Sequence, residues 1–144
     1  MAEIEVDLPT SNVIDFLPQR FPMLMIERLE SADENSCTTS FCIEHRNLFV
    51  EDGVFKEPGL IENIAQTAAA QIGFLSLMRG QLVPIGYIAA IRRLVILRHP
   101  LVSTEIKTFV KRLDKIGNII LLEGKTSIEG QVICSCELRV YIDD

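Results

Sequence analysis

The hydrophobic pattern changes period near residue 80. From residue 57 to 78, "EPGLIENIAQTAAAQIGFLSLM", apolar residues fall on nearly every side of a 3.6-residue repeat. From Pro58 to Met78 the sole charge is Glu62. This predicts one long helix, with Gly80 as its stop after Arg79. A helix apolar all round has to be enclosed. Beyond it the repeat becomes two. "PIGYIAAIRRLVILR" reads as a long strand broken by Pro100. "STEIKTFVKRLD" follows, with Ile106, Thr108 and Val110 on one face. A turn at residues 115–118 leads to "IILLEGKTSIE", and Glu129-Gly130 turns into "QVICSCELRVYID". In that last strand Val132, Cys134, Cys136, Leu138, Val140 and Ile142 alternate onto one face. Such short turns imply antiparallel neighbours.

Upstream the signals are shorter. A helix over 11–16 takes Ser11 or Asn12 as its cap. "LPQRFP" has two prolines in five residues and reads as an ordered turn. "MLMIERLESAD" (23–33) reads as a first strand, and "SCTTSFCIE" (36–44) as a second, with Cys37, Thr39, Phe41 and Ile43 together. Residues 45–59 form a loop with a turn at Asp52-Gly53. Ala65, Ala68, Ala69, Ala70 and Gly73 keep the helix slim, so that a sheet can approach it. The fold class is α+β: one domain over 1–144, about six mostly antiparallel strands curled around one helix.

Composition narrows the function classes. At 48% hydrophobic and 24% charged, the chain is an ordinary globular one. It has no apolar run of membrane-span length, and "MAEIEVDLPT" lacks the basic and apolar stretches of a leader. No membrane association and a cytoplasmic location are therefore expected. Cys134 and Cys136 point the same way from one strand, a poor geometry for a local disulfide. With Cys37 and Cys42 they read as small buried residues in a reducing compartment. His45 and His99 show no zinc-ligand spacing to them, so no metal and no cofactor is expected. The net charge of −6 argues against nucleic acid, yet residues 79–125 carry +6 and the remainder −12. That basic segment suits an acidic partner.

Two stretches carry a family resemblance. "FLPQRFPMLMIERLE" resembles the "LPHRYPFLLVDRV" segment of β-hydroxyacyl-acyl-carrier-protein dehydratases, and "GLIENIAQTAAAQIG" resembles their central helix, typically "LIIEAMAQAAG". The order of elements agrees over nearly the whole chain. The resemblance implies a hotdog fold and an acyl-carrier-protein or other acyl-thioester substrate. It also implies a homodimer or trimer of dimers, with acyl tunnels at the dimer interface. The family pairs a carboxylate on the central helix with a histidine from the opposite subunit. The carboxylate corresponds to Glu62, followed by Ala65 and Gln66. The histidine belongs in a "GHFPG" loop, where this chain reads "DGVFKEPG" with Val54 in its place. Gln19 stands where the upstream motif usually has another, non-catalytic histidine.

Dehydrating a 3-hydroxyacyl thioester requires a base at Cα, an acid for the departing hydroxyl, and donors for the thioester oxygen. Glu62 is the candidate acid/base. It is expected to pack among Leu60, Ile61 and Ile64 in the first turns of the helix. Gly59, after Pro58, is placed to offer a backbone N–H to a carbonyl. Asn63 and Gln66 complete the expected substrate-binding patch, with Gln66 one turn from Glu62 and able to orient it. For the missing base the residues leave several solutions open: His45 or His99, Glu62 alone in a syn elimination, or a heterodimer with a histidine-bearing dehydratase-like chain. A non-catalytic acyl-binding module and a thioesterase are the rival readings.

Overall fold

The computed structural model describes residues 6–143. Residues 1–5, half of the stretch that argued against a leader, lie outside it, as does residue 144. The elements in chain order are a 3-10 turn at Val13–Asp15, β1 (Arg28–Ala32), β2 (Ser36–Cys42), β3 (Val50–Glu51), β4 (Val54–Phe55), α1 (Glu57–Met78), β5 (Ile85–Ile96), β6 (Glu105–Ile116), β7 (Ile119–Ile128) and β8 (Gln131–Asp143). Six strands form one antiparallel sheet in the order β1-β2-β6-β7-β8-β5. It packs on α1 as the hotdog arrangement requires.

Local chemistry explains the turns. Asp52 (φ 53°) and Gly53 (φ 76°) close the small β3–β4 hairpin, and Glu129 (φ 49°) and Gly130 (φ 81°) join β7 to β8. Two successive positive φ values match the right-handed twist of flanking strands.

The sheet reaches the helix by a route the alanine pattern did not indicate. Gly124 of β7 lies over Ile64; a Cβ there would sit 2.4 Å from Ile64 Cγ2. The strand contributes the missing side chain as much as the helix does. Gly73 makes room for the N-terminal segment, not the sheet: a Cβ would come within 1.8 Å of the Phe16 carbonyl oxygen. Phe16 and Phe74 stack edge to face there, 5.8 Å apart.

Three further expectations are revised. The first strand starts only at Arg28. Ahead of it the Glu27 N–H donates to Ser40 O of β2 (3.0 Å), but Met23 and Met25 bond to helix amides: Gln66 Nε2 donates to Met23 O (2.8 Å), the Met25 N–H donates to Gln66 Oε1 (2.6 Å), and Asn63 Nδ2 donates to Met25 O (2.8 Å). The 11–16 helix shrinks to a single 3-10 turn, and Asn12 makes no side-chain cap bond. In β8 the alternation slips: Cys134, Cys136, Leu138 and Val140 are buried as expected, but Val132 is exposed and Ile133 buried. A bulge between Thr126 and Ser127 in the β7 register shifts the phase.

The two sheet edges differ. At β1, Thr10 bridges Leu29. At β5, no described residue covers the outer edge, and Tyr87, Ile88, Ile91, Leu94 and Val95 are all exposed. No helix among the described residues is long and apolar enough to cross a membrane.

Candidate active site

Glu62 is half-buried on a flank of α1 that lines a groove. Leu60 and Ile64 turn fully into the core. Glu62, Ala65, Ala69 and Ile72, spaced at helical intervals, instead form the wall of a groove of about 240 Å³. The opposite wall comes from Phe16 and Gln19 in the N-terminal segment and from Tyr87, Ile88 and Val140 in the sheet. The walls are mainly apolar; Glu62 is the acidic residue among them. The half-buried Glu62 therefore faces this groove rather than the Leu60–Ile64 packing expected around it.

Its orientation comes from Gln66. Nε2 of Gln66 donates to Glu62 Oε2 at 2.9 Å and to the Met23 carbonyl at 2.8 Å, while Oε1 accepts from the Met25 N–H at 2.6 Å. With both ends of its amide occupied, Gln66 positions the carboxylate and has no free group for substrate.

Two other expected ligands are placed differently. Asn63 is buried, 1% exposed, on the sheet side of the helix. Its Nδ2 donates to Met25 O, and its Oδ1 accepts from the Thr108 hydroxyl. The chain of bonds continues to Thr126 and, through Asn63 O and Thr67, to Thr39. Asn63 thus belongs to a polar seam between helix and sheet. The Gly59 N–H donates to Lys56 O at 3.0 Å, so it is not free for a carbonyl. What demands glycine at 59 is packing: a Cβ would meet the Phe55 ring at 2.5 Å and Phe49 at 2.8 Å.

Neither histidine enters the groove. His45 is exposed. His99 Nε2 lies 2.7 Å from Glu57 Oε1. The Glu57 carboxyl is held below its usual range first by its own backbone N–H and then by the His99 ring. Val54 bridges to Leu101 in an isolated ladder, away from the groove lining. Among the described residues, no group of three or more His, Cys, Asp or Glu could hold a metal.

Sequence reasoning missed the groove's far wall. Tyr87, Ile88 and Val140 carry no motif, and tertiary folding alone brings them to Glu62. Gln19 was visible as a substitution, but not its consequence: its Oε1 is buried without a partner, in the lining of the same groove as Glu62.

Residues 11–144 match the ApeP-like family, described as ApeP dehydratase. The chain belongs to the ApeP-like dehydratase family. It is 28% identical over 149 residues to the 3-hydroxyacyl-[acyl-carrier-protein] dehydratase FabZ of Latilactobacillus sakei, covering 94% of this chain and 99% of that one. Its fold is similar to that of a chain in the dehydratase heterocomplex ApeI:P from Xenorhabdus doucetiae, at TM-score 0.87 and 19% identity, covering 96% and 93% of the two chains. It also resembles the uncharacterized protein PH1136 of Pyrococcus horikoshii, at TM-score 0.71 and 10% identity, covering 100% and 96%. The protein is a dehydratase-like lyase of hotdog fold, and Glu62 is the carboxylate that its groove presents.

Proposed function

We propose that this chain dehydrates 3-hydroxyacyl thioesters on an acyl carrier protein to trans-2-enoyl thioesters, as the carboxylate half of a two-subunit site. The observation that carries this reading is Glu62: a carboxylate aimed by Gln66 into an apolar groove that no histidine of its own chain enters. The acyl chain lies along Ala65, Ala69 and Ile72. The Cα proton goes to a base on the partner subunit, and the C–H electron pair forms the new double bond. The C3–O bond breaks as Glu62 delivers a proton to the departing hydroxyl, which leaves as water. The base then passes its proton back to Glu62, which restores both groups to their starting states. Gln19 Oε1, unpartnered in the groove, is a natural acceptor for the substrate hydroxyl.

The uncovered β5 edge supports a dimer, since a long exposed apolar edge pairs with another chain. A partner of the same family with its histidine intact would complete the site, and the dehydratase heterocomplex of similar fold supports that choice over a homodimer. The free thiols suit the cytoplasm.

An assay with 3-hydroxyacyl and trans-2-enoyl thioesters of an acyl carrier protein tests the reading. Turnover that requires a second, histidine-bearing chain and disappears in Glu62→Gln is the expected result. Turnover by the chain alone, lost in Glu62→Gln, keeps the lyase and removes the half-site. A second reading, an acyl-binding module without turnover, rests on Val54 in place of the histidine. Tight carrier binding with no chemistry in any pairing would establish it. Thiol release without enoyl product would replace both with a thioesterase.

A further inference from the structure

The groove of Glu62 adjoins a second cavity. Ile72, Pro84 and Ile142 line both that groove and this cavity of about 150 Å³ at the C-terminal end of α1. The second cavity is different in kind. Arg79, Arg112 and Lys115 line it together with the polar residues Ser76 and Asn118, and no acidic residue does. Arg112 is half-buried, and its Nε is buried with no acceptor. Arg79 has one partner outside the cavity, Glu34 at 2.8 Å. Among the described residues neither Arg112 nor Lys115 forms a side-chain ion pair.

The negative end of α1 attracts cations, but it does not satisfy this site. The carbonyls of Leu75, Ser76 and Leu77 are already taken by backbone: Arg79 N donates to Leu75 O and Ser76 O, Gly80 N to Leu77 O, and Gln81 N to Ser76 O. A guanidinium N–H that is removed from water and left unpaired costs more than an ordinary polar group. Its fixed, planar fork matches a carboxylate. From Glu62 to Ser76 the helix rises about 21 Å, and the two cavities lie one after the other along it, sharing Ile72, Pro84 and Ile142, with an acid at one end and cations at the other. The apolar walls between them offer little to the amides of a pantetheine arm and suit a hydrocarbon.

We propose that the Arg112–Lys115–Arg79 cavity is a second binding site, which recognises an anionic oxygen, such as a carboxylate, at the far end of the acyl chain whose thioester lies at Glu62. This rests on the reading of the groove as an acyl site. It makes the protein selective for acyl thioesters with an anionic terminus over plain alkyl ones.

Calorimetric titration of the full chain tests this, alone and with its partner, using N-acetylcysteamine thioesters of straight-chain monocarboxylic acids and of dicarboxylic acids of matching length. At the length that spans the two cavities, the ω-carboxylated thioester should bind about tenfold more tightly than the plain one. Arg112→Leu and, separately, the exposed Lys115→Gln should reduce that preference. Unchanged binding of the plain thioester to the same variants would show that they are folded. Equal binding of both thioesters by the unaltered protein overturns the proposal and leaves the acyl groove standing. Binding of neither overturns the groove reading and this inference with it. Inorganic phosphate that binds in an Arg112-dependent way, without any discrimination between the thioesters, also overturns it in favour of a free-anion site.

Discussion

Gln66 holds Glu62 from the same helix face, with Nε2 2.9 Å from Glu62 Oε2, and is itself held by the Met25 N–H on Oε1. One amide thereby links the catalytic candidate to the backbone of residues 23–25. Gln66→Glu keeps an acceptor for Met25 but removes the donor to Glu62 and Met23. Gln66→Leu removes all three bonds. Both should lower kcat far more than they raise KM, because Gln66 orients the carboxylate and does not touch substrate. Gln66→Leu should also lose about 1–3 kcal/mol of stability for the orphaned Met25 N–H, measured by urea unfolding. An unchanged kcat with a raised KM would make Gln66 a substrate ligand instead.

The polar seam predicts the opposite separation at Asn63. Asn63→Ala leaves the Met25 carbonyl and the Thr108 hydroxyl without this partner in a buried site. Each such loss costs about 1–3 kcal/mol, while the protein that remains folded should keep its KM. Thermal unfolding and steady-state kinetics on the same sample decide this. A raised KM with an unchanged Tm would return Asn63 to the substrate.

The contrast between these neighbours shows what was readable in the sequence and what was not. The helix, the order of strands and the face of β6 were legible because periodicity survives in each segment alone. So was Glu62, the one charge in the helix beyond its first residue. Asn63, Gln66 and Gly59 were visible as polar or small residues beside it, but their roles depend on what faces them. Residues 23–25 and Thr108 come from distant parts of the chain, and no local pattern encodes that pairing; Phe55 is only four residues from Gly59, but the turn of the chain that folds its ring back is not written in the periodicity. The β8 phase slip was hidden for the same reason, since a bulge is a property of two strands in register. The rise and fall of hydrophobicity also could not reveal that Gly73 accommodates Phe16 while Gly124 accommodates Ile64.

Gly124 and Ile64 should be energetically coupled. Gly124→Ala places a methyl in the space of Ile64 Cγ2, and overpacking of this kind costs about 1–3 kcal/mol. Ile64→Ala creates a cavity and costs about 2–5 kcal/mol. In the double variant the new methyl fills part of that cavity, so the combined loss should fall short of additive by about 0.5 kcal/mol or more. Additive losses in denaturant unfolding would mean that the sheet does not meet the helix at this pair.

Alkaline pH should destabilise the fold through its thiols. Burial pushes Cys37 up to about 12, Cys134 to about 11 and Cys136 to about 12; nearby Asp33 adds to the effect at Cys37, and Cys134 and Glu137 at Cys136. In the unfolded chain these thiols ionise near pH 9, so between that pH and about 11–12 the unfolded state releases protons that the folded state retains. Stability present below pH 9 is therefore lost as pH rises through this window. Cys136→Ala should flatten the decline in Tm between pH 8.5 and 10.5 relative to the unaltered chain. Parallel pH curves would assign the alkaline loss to other groups. The same burial should leave Cys37 unreactive toward iodoacetamide at pH 7, because the thiolate is the nucleophile.

The β5 edge should decide assembly. Twelve residues of strand present unpaired backbone groups on one side, and Ile91 and Leu94 are each more than a third exposed. Ile91→Lys with Leu94→Lys places charge on a surface that would have to be desolvated on pairing, the device by which natural edges avoid association. Light scattering should then report a monomer, and turnover with the partner chain should fall in step with the loss of complex. Arg92 and Arg93 lie between these two positions and are exposed, with Arg93 only loosely paired to Glu137 at 3.3 Å. Arg92→Glu with Arg93→Glu should leave the complex assembled but weaken binding of an acidic acyl carrier protein, and the loss should shrink as salt rises, because exposed charges are screened beyond about 10 Å at 0.1 M. If the first pair of substitutions leaves the complex intact, the subunits meet elsewhere and the groove is completed by another surface. If the second pair changes assembly rather than carrier affinity, these arginines belong to the subunit interface, and the carrier docks on a different part of the basic segment.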